Sequence, residues 1–351
     1  MIETATGNLL EADVEALVNT VNTKGALGKG IALQFKRAFP EMEASYKRAC
    51  RTGEIAPGRV HVFERPDMFS RPHYIISFPT KRDWRHPSRL EDIEAGLRDL
   101  VRVIKERGIE SVAIPPLGCG LGGLDWRDVY PMIADAALEL DGVRVLVYPP
   151  AGSPPPESQV NRTRRPSMTA GRAALLGLLA QYCELDYPLS MLEIQKLAYF
   201  LQEAGQPLRL EFEKGPYGPY SDGLRKVLRH LEGHYILGFG DEGTSPDSPI
   251  RLLSGAAQDA EAFLTGDRET ASRYKSVARL IEGYETPYGL ELLSTVHWAA
   301  TKESPPACDH DAALRIIREW SPRKSSCMTP EHVRSAWERL TNFGVVPVET
   351  D

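Results

Sequence analysis

Brief apolar stretches alternate with longer amphipathic ones through the first 150 residues. Met1 to Ala5, Ala16 to Asn22, Val60 to Phe63, Tyr74 to Phe78, Ser111 to Ile114 and Val143 to Val147 are short and mostly β-branched, which predicts strands. Between them, Ile31 to Ala38 stops ahead of Pro40, and Glu41 to Arg51 is closed by Gly53. A third amphipathic run reaches Arg107 and ends at Gly108; Ser88 and Glu91 stand at its start with capping-box spacing. Asp125, with Asp128 three residues on, opens a last helix over 126–140. Strands alternating with helices predict an α/β sandwich on a largely parallel sheet.

The pattern changes after residue 150. Ala151 to Ser167 is rich in proline and polar residues, so 151–168 is read as a semi-extended linker. From 169 to 351 the reading is mostly helical. Ser190 and Glu193 cap a run carrying Leu192, Leu197, Tyr199, Phe200 and Leu201. Leu208 to Phe212 reads as a strand leading into Lys214 to Asp222, and Leu224, Val227, Leu228 and Leu231 mark the next helix. Further helices are expected near 256–264, 269–283, 289–300, 310–320 and 331–341, the last opened by Thr329 and Pro330.

A chain of 351 residues carries two domains by ordinary size rules. The net charge of −6 is uneven: −1 over 1–150, +2 over 151–168 and −7 over 169–351. That acidity argues against the C-terminal part wrapping nucleic acid. The chain's five cysteines are odd in number and none pair at metal-ligand spacing, so neither a structural metal nor a disulfide framework is expected. No apolar run is long enough to span a membrane, and Met1 to Thr4 lacks the features of a signal peptide. The expectation is a cytoplasmic protein, a monomer when alone, that needs no cofactor.

Chemistry concentrates after the strands. Pro115 to Trp126 packs four glycines (Gly118, Gly120, Gly122, Gly123) between a buried strand and a helix start. Backbone N–H groups free of Cβ crowding, backed by a helix dipole, make a diphosphate cradle. The spacing matches neither the P-loop nor the dinucleotide fingerprint. A second loop, Thr23 to Gly30, follows Asn22, and Pro79 to Pro87 follows the Tyr74 strand. Ligands sit beyond the carboxyl ends of such strands, so the three segments are expected to share one crevice.

Gly7-Asn8-Leu9, Asn19 to Asn22, Gly25 to Gly30 and Pro116 to Leu124 together resemble the macrodomain family, the ADP-ribose-binding module. Asn19-Thr20-Val21-Asn22 stands where that family usually reads Asn-Ala-Ala-Asn. The resemblance covers about residues 1–150 and implies a three-layer α/β/α fold with a mixed, largely parallel sheet. Within the family the chain is most similar to DNA ADP-ribosyl glycohydrolase antitoxins of the DarG type and to terminal ADP-ribose glycohydrolases, which carry a lysine where Lys81 stands here. That implies an N-glycosidic hydrolase removing ADP-ribose from thymine in single-stranded DNA. It also implies a C-terminal domain, 169–351, that inhibits a cognate DarT-like toxin. Leu197 to Phe200 with Gly215 to Ser221 further resembles a helical antitoxin domain found beside other toxins.

Each residue implied by the resemblance has a plainer role beside it. Gly118, Cys119, Gly120, Leu121 and Gly122 are expected on the diphosphate; Gly25, Gly28 and Gly30 let the second loop close over the distal ribose, and Lys29 faces phosphate or, equally, solvent. Asn22 carries groups suited to ribose hydroxyls or to capping a turn. Tyr148 packs on adenine or in the core, and Cys119, with no histidine partner in sight, reads as a small packing residue. Asn8, beside Leu9, replaces the family's usual aspartate and is expected to accept from the adenine amino group through its amide oxygen. Gly122 stands where the terminal glycohydrolases have an acid, so a lysine–acid pair does not transfer whole. Lys81 is the expected catalyst, its amine kept neutral by Arg82 or by burial; a phosphate ligand is the rival role. Arg82, Trp84, Arg85 and His86, with Arg89 nearby, suit a single strand of DNA or a solvated loop. The competing whole-protein reading is a non-catalytic ADP-ribose-binding module fused to an inhibitor domain.

Overall fold

A computed structural model describes residues 1–67, 69–150, 159–183, 189–239 and 249–346. They form two compact units, Met1–Arg164 and Arg165–Asp351. Residues 151–158 of the expected linker lie outside the described residues. Of the rest of that segment, 159–164 belong to the first unit, where Val160 packs on the core and Arg162 N donates to Arg37 O at 2.8 Å, and 165–168 belong to the second, where Met168 packs on its core.

The first unit contains β1 (Ile2–Thr4), β2 (Ala16–Asn22), α1 (Gly30–Ala38), α2 (Met42–Thr52), β3 (His61–Glu64), β4 (Tyr74–Lys81), α3 (Leu90–Arg107), β5 (Ser111–Ile114), α4 (Trp126–Leu138) and β6 (Arg144–Val147). The sheet order is β1-β6-β5-β2-β4-β3, parallel except for the edge pair β3 and β4. Alternate strand residues face opposite layers, as the pleat requires. Val18, Ile76, Phe78, Val112, Ile114, Val145 and Val147 join a core with α3 and α4, whereas Leu17, Ile75, Ala113 and Leu146 join one with α1 and α2. Covering both faces explains why these strands read as continuous apolar runs. The unit is a three-layer α/β/α sandwich on a mixed, largely parallel sheet, as expected.

One expected element start differs. Ser88 and Glu91 do not cap α3: Arg89 is its N-cap and makes no side-chain cap bond. The Ser88 N–H is taken instead by Gly122 O at 2.9 Å, and its hydroxyl is buried without a partner.

The second unit is mostly helical: α5 (Ala170–Cys183), α6 (Met191–Glu203), the hairpin β7 (Glu213–Gly215) and β8 (Gly218–Tyr220), α7 (Asp222–Leu231), the short pair β9 (Ile236–Leu237) and β10 (Arg251–Leu252), α8 (Ala256–Gly266), α9 (Arg268–Ile281), α10 (Pro287–Thr301), α11 (His310–Trp320), α12 (Pro322–Cys327) and α13 (Pro330–Asn342). Leu208 to Phe212 is not a strand. Gln202 brackets Leu210, donating to its O and accepting from its N at 2.8 Å each, which supplies the bonds a ladder would have made; Arg209 adopts a positive φ of 57°. The two motifs of the second resemblance are tied together. Lys196 Nζ donates to Pro219 O at 2.6 Å, and Gln195 exchanges two 2.9 Å bonds with the Ser221 backbone. No helix among the described residues is long and apolar enough to cross a membrane.

Candidate active site

The glycine-rich loop after β5 is braced by its own backbone. Cys119 N donates to Pro116 O, Leu124 N to Gly118 O and Gly123 N to Gly120 O, each at 3.1 Å, and Asp125 then caps α4 by accepting from Arg127 N at 2.8 Å. The N–H groups of Gly120, Leu121 and Gly122 donate to no acceptor among the described residues. Three free donors in succession form an anion-binding concavity. A Cβ on Gly122 would lie 2.2 Å from Gly118 O and 2.4 Å from Ser88 Oγ, so no acid can stand there without remaking the loop.

Asn22 ends β2 at a register shift, opposite Lys81. Its Nδ2 donates to Ala26 O at 2.7 Å, and its Oδ1 accepts from Lys24 N at 2.9 Å and Ala26 N at 3.3 Å. The side chain thus folds the second loop. Tyr46 Oη donates to Asn22 O from beneath. Gly28 and Lys29 are exposed, Lys29 makes no side-chain cap bond, and α1 begins at Gly30. A Cβ on Gly30 would sit 3.5 Å from Leu121 Cδ1, so the two glycine loops abut.

Lys81 closes the group. It ends β4, and its Nζ donates to Leu121 O in the glycine-rich loop. Its carbonyl accepts from Thr23 N at 3.1 Å, and Thr23 Oγ1 reaches Arg82 O at 2.7 Å. The three segments expected to converge do so. Burial holds the Lys81 amine below the usual lysine range. Arg82 is not the cause: its guanidinium grips Asp92 at 2.9 and 3.2 Å.

The remaining residues divide. Asn8 Oδ1 accepts from Leu10 N at 3.1 Å, and its Nδ2 is buried without a partner, so the free group there is a donor rather than the expected acceptor. Leu9 is buried in the core on the α1 and α2 face, and Tyr148 packs half-buried against the same core. Cys119 Sγ lies 3.5 Å from Leu117 O, and burial, then the Asp125 charge, pushes its thiol up to about 11. Such a thiol is a packing group at neutral pH. Trp84 is 55% exposed, with the Arg85 guanidinium 4.8 Å over its ring. Asp83 shapes that turn, accepting from Arg85 N at 3.0 Å on Oδ1 and from His86 N at 3.2 Å on its carbonyl. His86 is exposed. Ser88 was read only as a helix cap, and Thr23 and Tyr46 were not read as site residues, because their roles are bonds to distant backbone that no local pattern encodes.

The macro domain model matches residues 18–133. A Thermus aquaticus protein named DNA ADP-ribosyl glycohydrolase is 47% identical over 349 residues, covering 99% of this chain and 95% of that one. Its namesake from Mycobacterium tuberculosis is 42% identical over 355 residues, covering 97% and 99%. A Thermosipho africanus protein named DNA ADP-ribosyl transferase–DNA ADP-ribosyl glycohydrolase fusion protein is 33% identical over 169 residues, covering 44% of this chain and 43% of its own length.

Proposed function

Since the chain belongs to the DNA ADP-ribosyl glycohydrolase family, we propose that it removes ADP-ribose from thymine in single-stranded DNA and that Lys81 carries the chemistry. The observation behind this is the position of the Lys81 amine, partly desolvated and bonded to Leu121 O of the loop whose free amides suit a diphosphate. The diphosphate rests on Gly120, Leu121 and Gly122, with Gly118 and Cys119 shaping the turn. Gly28, Lys29 and Gly30, at the positive end of α1, cover the distal ribose. Asn22 keeps that loop in shape. Asn8 and Tyr148 bound the adenine end, where Asn8 Nδ2 offers its proton to a ring nitrogen.

The bond to break joins the anomeric carbon to the base nitrogen. Its electrons leave with the base, which takes up a proton, and positive charge develops on the sugar. Neutral Lys81 attacks that carbon, or captures the opened sugar as a Schiff base; water then releases ADP-ribose and restores the amine. Trp84 and Arg85 form an exposed stacking platform for a neighbouring nucleotide, with His86 and the outer edge of Arg82 towards phosphate. The acidic second unit binds and inhibits a cognate DNA ADP-ribosyltransferase toxin, and the fusion of both activities in the Thermosipho africanus protein supports that pairing. The site of action is the cytoplasm.

Incubation of the full chain with an ADP-ribosylated thymine oligonucleotide tests the reading. Release of ADP-ribose and return of the unmodified strand is the expected result. Tight binding without release would make the chain a reader of the mark instead.

A further inference from the structure

Ser45 on α2, Glu54 in the loop after it and His61 on the edge strand β3 form a chain of hydrogen bonds away from the crevice. Ser45 Oγ lies 3.0 Å from His61 Nε2, and His61 Nδ1 lies 2.9 Å from Glu54 Oε1. The neutral imidazole gives the chain one direction. An ionised carboxylate only accepts, so Nδ1 carries the proton; Nε2 is then the acceptor, and the serine hydroxyl donates to it. His61 is 7% exposed and held between its two partners, whereas Ser45 is open to solvent on one side. A nucleophile touching a base, with the base oriented by a carboxylate, is the arrangement that activates a hydroxyl.

We propose that Ser45, His61 and Glu54 form a second, serine-nucleophile site that accepts small acyl groups from esters presented by solvent. Ser45 Oγ bonds to the acyl carbon while its proton passes to His61 Nε2. The ester's alkoxide leaves with that proton, giving an alcohol and acyl-Ser45. Water repeats the step through His61, releasing the carboxylic acid, so ester and water become alcohol and acid with no other reactant.

Treatment of the full chain with diisopropyl fluorophosphate, followed by peptide mapping, reads out the nucleophile directly. Ser45 is expected to displace fluoride and carry one diisopropylphosphoryl group, and Ser45→Ala to carry none while releasing ADP-ribose from DNA at the wild-type rate. Glu54→Gln, a change at a half-exposed side chain that leaves the fold intact, is expected to label at least tenfold more slowly. Hydrolysis of p-nitrophenyl acetate should fall in the same order. An unlabelled Ser45 under conditions that fully label trypsin, or equal labelling rates in wild type and Glu54→Gln, would overturn the proposal and leave the three side chains as a clasp between α2 and β3.

Discussion

Lys81 shows how position sets chemistry at one residue. Burial, not a neighbouring cation, lowers its amine, because Arg82 is already held by Asp92. A lysine with a depressed pKa is neutral over more of the range below its ordinary value of 10.5. With the neutral amine as the reactive form, turnover rises with pH, is half-maximal below that value and levels off above its midpoint; Lys81→Arg, charged throughout, shows no such rise and loses turnover. The missing acid at 122 has an equally local reason. Gly122→Ala places a methyl group against Gly118 O and Ser88 Oγ, and the account expects at least a tenfold loss of ADP-ribose affinity by calorimetry. The sequence announced the glycines and the lysine. Of the two roles weighed for Asn22, its amide makes the bonds of the turn; that the Asn8 oxygen is used by the chain itself was not revealed, since that bond is made to a backbone atom that any sequence carries.

Two helices with the same opening signature separate what an element can show from what packing decides. Ser190 and Glu193 act as read: Glu193 accepts from Ser190 N at 2.6 Å and also receives the Tyr182 hydroxyl. Ser88 and Glu91 have the same spacing, yet the Ser88 backbone is drawn to Gly122. Urea denaturation should tell them apart. Ser190→Ala is expected to lose about 1 kcal/mol, the usual worth of such a cap, whereas Ser88→Ala, which removes a buried hydroxyl with no partner, should be neutral or stabilising. α5 gave no amphipathic signal for a similar reason: Ala173, Ala174, Leu175, Leu176, Leu178 and Leu179 are all buried, so the helix has no polar face to create a period. Leu208 to Phe212 erred the other way, an alternating pattern whose ladder bonds are supplied by one glutamine.

At the scale of the molecule, the order of strands and helices was legible because parallel sheets covered on both faces need that alternation. The strand order β1-β6-β5-β2-β4-β3 was not, since pairing between distant segments leaves no local trace. Charge distinguishes the two parts of the chain, near neutral before the proline-rich segment and −7 from residue 169 onward. The proposed inhibition of a toxin through that acidic part does not call on Lys81. The full-length Lys81→Ala chain should therefore still block modification of an oligonucleotide by the cognate transferase, and the block should weaken as salt rises. A transferase running at full rate beside that variant would exclude inhibition by the second unit.

In the proposed reaction the Lys81 amine breaks the bond between the sugar and the base. Single-turnover release of ADP-ribose from a modified oligonucleotide, measured for wild type and Lys81→Ala alongside calorimetric binding of free ADP-ribose, tests it most directly. The variant is expected to bind ADP-ribose within a few-fold of wild type and to release none from DNA. Release at the wild-type rate, or binding and release lost together, would contradict it.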